Sequence, residues 1–205
     1  AFCEFVSKVP FYGAAILCLD DENVQRILSR VNRRILTYGV SSQADLRVTE
    51  AECGHLASRF WLRHRERDLG EFQLQAAGFH NVLNAAAAVG IGIELEVPVE
   101  TIRQGLAQYS GVERRFQVRG EVRGITVIDD YGHHPTEIQA TLAAARRCRF
   151  ERVHVLFQPH RFTRTLHLME EFAKAFHQAD SVFLTDIYAA SEPPIEGVTA
   201  QALAE

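Results

Sequence analysis

The residues best suited to chemistry stand in one turn, Asp129-Asp130-Tyr131-Gly132-His133-His134. It follows the apolar, β-branched run Ile125-Thr126-Val127-Ile128 and precedes Pro135 and Glu137. Carboxylates accept hydrogen bonds from ribose hydroxyls or from a metal-bound water, and an imidazole moves or orients a proton near neutral pH. The run before them reads as a buried strand, and Pro135 suits the first turn of a helix. A strand that ends in polar side chains and passes into a helix is how an open α/β sheet builds a ligand site at the carboxyl ends of its strands. The plain alternative has Asp129 capping the helix and one imidazole simply solvated. It explains single residues but not the cluster. Zinc on His133, His134 and Asp130 ranks below nucleotide binding, because ligands adjacent in sequence converge on one ion only in a tight turn.

Phe157-Gln158-Pro159-His160-Arg161-Phe162-Thr163-Arg164 repeats the pattern: an apolar run ends and a crowded turn follows. Arg161 and Arg164 share a face if the turn is helical, and two converging guanidiniums bind a carboxylate bidentately. Exposed surface charge is the ordinary reading of such a pair. Adjacent strand ends in one parallel sheet would set this turn beside the first, with Ile187–Pro194 on the same rim. Gly78-Phe79-His80-Asn81-Val82-Leu83-Asn84 opens an alanine-rich stretch. Asn81 and Asn84, three apart, project from one helix face, and an amide matches the edge of a purine. A cap at Asn81 explains that residue equally well. Glu113-Arg114-Arg115-Phe116 offers guanidiniums for phosphate or for stacking. Adjacent arginines entering a strand point to opposite faces, so at most one serves a given site.

The elements that position these turns come in two textures. Before Ser110, Tyr12–Leu19 and Ile35–Tyr38 read as strands around a helix that opens at Asp20-Asp21-Glu22. Residues 44–76 alternate with period two (Leu46, Val48; Phe60, Leu62; Phe72, Leu74), which predicts an antiparallel meander with one wet face. Helices follow over Gly78–Ile93 and Pro98–Tyr109. Gly111–Arg115 reads as a hinge. Beyond it, strands at Phe116–Val122, Ile125–Ile128, Val153–Phe157 and Val182–Leu184 mix with helices at Pro135–Arg147 and Thr165–His177. That alternation predicts a parallel sheet with right-handed crossovers. The fold class is α/β, in two domains, 1–112 and 113–205.

The net charge of −4 over 205 residues argues against nucleic acid held by a basic field. No apolar run approaches the roughly 20 residues of a membrane span, and the start lacks a signal-peptide pattern. Cys3, Cys18, Cys53 and Cys148 stand far apart, with neither zinc spacing nor a disulfide framework, which points to a reducing cytoplasm. Both ends fall inside helical patterns, so the chain reads as a piece of a longer protein.

In order, Gly78-x-His80-Asn81-x-x-Asn84 with its alanines, Arg114-Arg115-Phe116, Asp129–Pro135 and Phe157–Arg161 resemble the Mur ligase family over essentially the whole chain. Their spelling is similar to the branch that joins L-alanine to UDP-N-acetylmuramate. The muropeptide-recycling branch is nearest, but Gly132 and the His160-Arg161 to Arg164 turn favour the former. The resemblance implies the C-terminal portion of a central ATP-binding domain, then a truncated Rossmann-like domain that brings the amino acid. It implies ATP and Mg2+ as cofactors, with the magnesium ligands outside this chain and no metal ligand within it. No Gly-x-x-Gly-Lys-Thr-type phosphate loop occurs here, so the isolated chain is expected to be inactive. In the whole enzyme, the lactyl carboxylate takes the γ-phosphate to form an acyl phosphate, which the amine of L-alanine attacks. Carried over by position, His80, Asn81 and Asn84 hold adenine, Arg115 the nucleotide and Asp130 the ribose. Tyr131, His133, Arg161 and Arg164 recognise L-alanine, the last three lying nearest the reaction. The implied partners are UDP-N-acetylmuramate, L-alanine and ATP, with no nucleic acid and no membrane span. A nucleotide-binding module without catalysis is the reading from another class.

Overall fold

The structure is a computed structural model and describes residues 2–54 and 56–205. The chain divides into two compact units, one ending at Ser110 and the other beginning at Gly111.

The first unit runs α1 (Phe2–Ser7), β1 (Ala14–Cys18), α2 (Glu22–Leu28), β2 (Arg34–Gly39), β3 (Leu46–Cys53), β4 (Ser58–His64), β5 (Arg67–Leu74), α3 (Phe79–Glu94) and α4 (Val99–Gln108). All five strands form one sheet in sequence order. β1, β2 and β3 are parallel to one another, while β3–β4 and β4–β5 are antiparallel. The period-two stretch thus forms the antiparallel meander expected of it, and it extends the parallel strands β1 and β2 in one sheet. Its alternation does mark the buried face: Leu46, Val48, Phe60, Leu62, Phe72 and Leu74 are all buried. The Phe60 and Phe72 rings stack with centroids 5.6 Å apart. Against them lies α3, whose buried Val82, Ala85, Ala86 and Val89 recur at i, i+3, i+4 and i+7. Small alanines on that stripe let the helix pack closely on the sheet.

β2 and β3 share only two residue pairs, Tyr38–Leu46 and Gly39–Arg47. Side chains extend this short ladder. Asp45 accepts from the Thr37 N–H at 3.0 Å and from its hydroxyl at 2.9 Å, and Arg65 Nε lies 3.4 Å away. Burial pushes the Asp45 carboxyl up, but the Thr37 backbone N–H, the Thr37 hydroxyl and Arg65 outweigh it and hold the group below the usual carboxylate range. At the end of β2, the Asp20 carboxylate accepts from the N–H groups of Val40 and Ser41. A Cβ at Gly39 would stand 2.6 Å from that carboxylate, so only glycine fits there.

The second unit runs β6 (Gln117–Val122), β7 (Ile125–Asp129), α5 (Pro135–Arg147), β8 (His154–Phe157), α6 (Phe162–His167), α7 (Met169–Ala175), β9 (Ser181–Leu184) and α8 (Ala200–Ala204). β8 and β9 pair in parallel, as strand–helix alternation requires. β6 and β7 instead form an antiparallel hairpin, turning through Arg123 and Gly124, both at positive φ. The core gathers Ile138, Leu142, Phe157, Phe172, Ala175 and Leu203.

Three expectations are corrected here. Ile125–Ile128 is a strand but not a buried one, since Ile125 and Val127 are exposed. Among the described residues β7 pairs only with β6, and β8 only with β9. A cavity of about 670 Å³ is lined by Ile125, Thr126 and Ile128 of β7 and by Val155, Leu156 and Phe157 of β8. The helix expected over Thr165–His177 starts earlier, at Phe162, and breaks at Leu168 (φ −121°, ψ 21°) into α6 and α7. Among the described residues no helix is long and apolar enough to cross a membrane.

Replacing Asp45 with Asn removes the charge that both Thr37 donors and Arg65 face. A loss of about 1–2 kcal/mol in the stability of the first unit is expected at pH 7. A carboxyl depressed on folding stabilises above its unfolded pKa and loses that contribution as pH falls through the folded value. The gap between wild type and D45N should therefore close below about pH 4, the ordinary range for Asp. Urea unfolding of both proteins at pH 7 and pH 3 checks this; a gap unchanged with pH would refute it.

Candidate functional site

The 129–134 turn is built around two carboxylates that accept from backbone. Asp130 Oδ2 accepts from the Phe116 N–H at 2.8 Å, and Oδ1 from the Gly132 N–H at 2.7 Å. That one side chain ties the segment before β6 to the turn after β7. A Cβ on Gly132 would approach Asp130 Oδ1 to 2.7 Å, so a larger residue there would displace the carboxylate from its two N–H donors. Glu137 Oε2 accepts from the N–H groups of His133 (2.9 Å) and His134 (3.2 Å), and Oε1 lies 3.4 Å from Arg115. Burial pushes the Glu137 carboxyl up, but these N–H groups, the His133 ring and Arg115 more than offset it, leaving it below the usual range.

His134, not Asp129, caps α5: its ring accepts from the Thr136 N–H, Pro135 follows, and Glu137 completes a capping box. Histidine lies outside the Ser/Thr/Asp/Asn preference, so cap rules miss it. Asp129 instead faces Arg114 at 3.6 Å.

Adjacent arginines were expected on opposite faces. Both instead address Tyr131, with guanidiniums 4.8 Å (Arg114) and 5.9 Å (Arg115) from its ring centre. The reason is local backbone. Arg114 (φ 58°) and Phe116 (φ 49°) are left-handed, and the strand begins only at Gln117, so two-residue alternation does not apply. Such positions are costly for residues other than glycine and persist where other bonds hold them. Here the Asp130–Phe116 bond and the Tyr131 N–H donating to Arg114 O (2.6 Å) do so.

His133 lies edge-on to Tyr131, ring centroids 5.2 Å apart, and its Nδ1 is 3.0 Å from Tyr131 O. A carbonyl only accepts, so Nδ1 carries the hydrogen, and in the tautomer that keeps this bond without a second proton Nε2 is an acceptor. The His160 ring is 6.3 Å from that of His133 and stacks on Tyr188 at 5.1 Å. The 129–134 turn, the 160–164 turn and the loop after β9 thus meet, although β7 and β8 do not pair directly. A backbone bridge joins the last two: Tyr188 N–H donates to Pro159 O and Arg161 N–H to Tyr188 O, both at 2.8 Å. His160 Nδ1 is buried without a hydrogen-bond partner. Burial, then Arg164, Arg161 and His133, hold this imidazole below its ordinary pKa, so it is neutral at physiological pH.

Arg161 precedes α6 at φ 75°. Its guanidinium stands 3.9 Å from Glu192 and donates no hydrogen bond to a described residue. Arg164 reaches His160 O at 3.5 Å. This group of Arg115, Asp130, Tyr131, His133, Arg161 and Arg164 belongs wholly to the second unit. His160, Tyr188 and Glu192 border it; the sequence assigns them no individual role, although it marks the 157–164 turn and the rim segment Ile187–Pro194 that carry them.

In the first unit, His80, Asn81 and Asn84 open α3. The helix starts at Gly78 (φ 92°) without a side-chain cap, and the Asn81 N–H donates to Gly78 O at 3.0 Å. The Asn81 amide N–H donates to Ala77 O at 2.7 Å, leaving its carbonyl as an acceptor. Asn84 is exposed one turn further along. An amide acceptor, a second amide and an imidazole suit the edge of a purine base. Among the described residues no three His, Cys, Asp or Glu side chains gather as a metal ligand set.

Comparison with known proteins gives this geometry a context. The family profile of the Mur ligase middle domain matches residues 1–92, and that of the Mur ligase, glutamate ligase domain, matches residues 114–205. The chain is 63% identical, over all of its 205 residues, to UDP-N-acetylmuramate–L-alanine ligase of Solibacter usitatus (strain Ellin6076), of which it spans 43%. It is similar to the crystal structure of the UDP-N-acetylmuramate–alanine ligase MurC from Thermotoga maritima, with a TM-score of 0.67 and 30% identity over 80% of this chain and 36% of that one. The MurF ligase of Thermotoga maritima, solved in complex with ADP, shares the fold at a TM-score of 0.70 and 21% identity, covering 93% of this chain and 43% of that one. The chain thus spans less than half the length of these relatives. With both units matched and identity above half along its whole length to such a relative, the chain belongs to the Mur ligase family.

Proposed function

We propose that this chain supplies the base-binding and amino-acid-binding contacts of a cytoplasmic, ATP-dependent ligase that joins L-alanine to UDP-N-acetylmuramate in peptidoglycan synthesis. Residues 1–112 are assigned to the later part of its ATP-binding domain and 113–205 to its amino-acid-binding domain. The observation that carries the reading is the state of Arg161. Its guanidinium is oriented by a nearby charge yet donates no hydrogen bond to a described residue, next to a second arginine and two imidazoles. A planar fork of uncommitted donors suits a carboxylate better than any other common ligand group.

On this reading Arg161 and Arg164 take the carboxylate of L-alanine. His133, with Nδ1–H committed to Tyr131 O, offers Nε2 to a hydrogen of the substrate's amino group. Tyr131, flanked by two guanidiniums and edge-on to His133, lies beside the amine. His80, Asn81 and Asn84 hold the adenine edge, and Arg115 and Asp130 the remainder of the nucleoside. Asp130 keeps acceptor capacity for a ribose hydroxyl, since a carboxylate has about four lone-pair sites and two are in use. ATP supplies the phosphoryl group that activates the sugar's carboxylate. The described residues offer no ligand set for magnesium, so no step is assigned to that ion here. Positioning and charge stabilisation are the protein's contributions to a transfer of this kind.

Replacing Arg161 with Lys in the full-length protein keeps the charge and loses the fork. Loss of a charge-assisted hydrogen bond of about 1.5–3 kcal/mol corresponds to a roughly ten- to hundredfold fall in kcat/KM for L-alanine. The KM for ATP should stay within about twofold, and steady-state kinetics with each substrate varied in turn decide the matter. A penalty that falls on ATP would move Arg161 to the nucleotide.

The 205-residue chain by itself should release no phosphate from ATP in the presence of UDP-N-acetylmuramate, magnesium and L-alanine, because it carries no phosphate loop. Release above a heat-killed control, abolished by one point substitution in this chain, would overturn that expectation.

A further inference from the structure

We propose that Glu192 is a positioning residue that seats Arg161 and the first turn of α6 from the loop after β9. The inference rests on the reading that Arg161 receives the amino acid's carboxylate. Helix α6 has no cap of its own, because the Arg161 side chain makes no capping bond. Glu192, 29 residues further along the chain, supplies one: its carboxylate accepts from the Thr163 N–H at 2.9 Å and from the Thr163 hydroxyl at 2.8 Å. Its side chain is only 19% exposed. The Thr163 backbone N–H, then its hydroxyl, hold the Glu192 carboxyl below the usual range, so it is charged at neutral pH.

The backbone on both sides needs such a tether. Arg161, Ala190 and Ser191 all sit at positive φ (75°, 48° and 70°), which L-residues disfavour. The Tyr188 backbone bridge fixes one end of this contact, and Glu192 fixes the other.

The distance to Arg161 sets the division of labour. At 3.9 Å from Nη1 the carboxylate orients the guanidinium by charge without occupying its donors. A full bidentate pair would fill the fork and exclude a ligand; with no charge nearby the side chain would lose its preferred direction. Arg164 and His160 are the other charged or titratable groups at this turn.

The test uses the full-length protein. Glu192→Gln keeps an acceptor for Thr163 but removes the charge that faces Arg161. It should raise the KM for L-alanine about three- to tenfold, with kcat and the KM for ATP within about twofold. Thr163→Val, which removes one of the two anchoring bonds, should shift the same constant in the same direction by less. In combination with Arg161→Lys the Glu192→Gln effect should largely vanish, since residues acting through one another are not additive. Parallel loss of kcat and stability with no preference for the amino acid would reduce Glu192 to a structural cap and overturn the proposal. So would full additivity with Arg161→Lys. A wild-type enzyme that does not use L-alanine would overturn the functional reading and the proposal with it. Normal wild-type kinetics with an unaffected Glu192→Gln would overturn only the proposal.

Discussion

Backbone N–H groups left unpaired where strands end must find acceptors, and in this chain carboxylates provide them. Asp20 accepts from Val40 and Ser41, Asp45 from Thr37, and Asp130 from Phe116 and Gly132. Glu137 accepts from His133 and His134, Asp180 from Val153, and Glu192 from Thr163. A buried N–H without a partner costs about 1–3 kcal/mol, so the part-buried pairings, those of Thr37, Ser41, Phe116, Gly132 and His133, lessen a penalty as well as adding a bond. These contacts close turns and strand ends, reinforce β2 at Thr37 and cap the first turn of α6 at Thr163. The geometry of the candidate site follows from where those turns are closed.

A consequence for chemistry is that the same side chains combine structure and charge. Glu137 holds two backbone N–H groups of the turn while lying 3.4 Å from Arg115. Glu192 anchors Thr163 while orienting Arg161. Arg115 donates to Glu137 at 3.4 Å, whereas Arg161 is directed by Glu192 without its donors being consumed, which leaves a planar cationic fork available to an anion. The left-handed residues Arg114, Phe116 and Arg161 lie beside these carboxylate contacts. Strain placed next to strong backbone tethers is how a turn holds side chains in arrangements that an extended strand cannot.

The first unit solves a different problem with the same means. Its sheet changes from parallel to antiparallel at β3, where the ladder with β2 is only two residue pairs long. The Asp45–Thr37 contact reinforces that short junction. The stripe of alanines and valines on α3 then holds the helix close to Phe60 and Phe72, and its start carries His80, Asn81 and Asn84. A helix seated on a well-packed sheet holds these three side chains on a rigid mount.

Much of this was legible from residue order alone. Strand–turn–helix punctuation located the 129–134 and 160–164 turns, and Pro135 with Glu137 marked the start of α5, because these signals are local in the chain. Period-two alternation identified Leu46, Val48, Phe60, Leu62, Phe72 and Leu74 as one buried face, since side chains on a strand alternate whatever the strand pairs with. Pairing itself was not legible. Whether β3 joins β2, whether β6 and β7 run antiparallel, and whether the edge of β7 is covered depend on contacts between distant segments that periodicity does not encode. The same holds for the directions of Arg114 and Arg115, which two left-handed residues overturn, and for the cap at His134. Glu192 is the clearest case. In the sequence it is one acidic residue in a Pro-rich loop; only the tertiary fold brings it to Thr163 and Arg161, where a carboxylate's lone pairs and charge acquire something to act on.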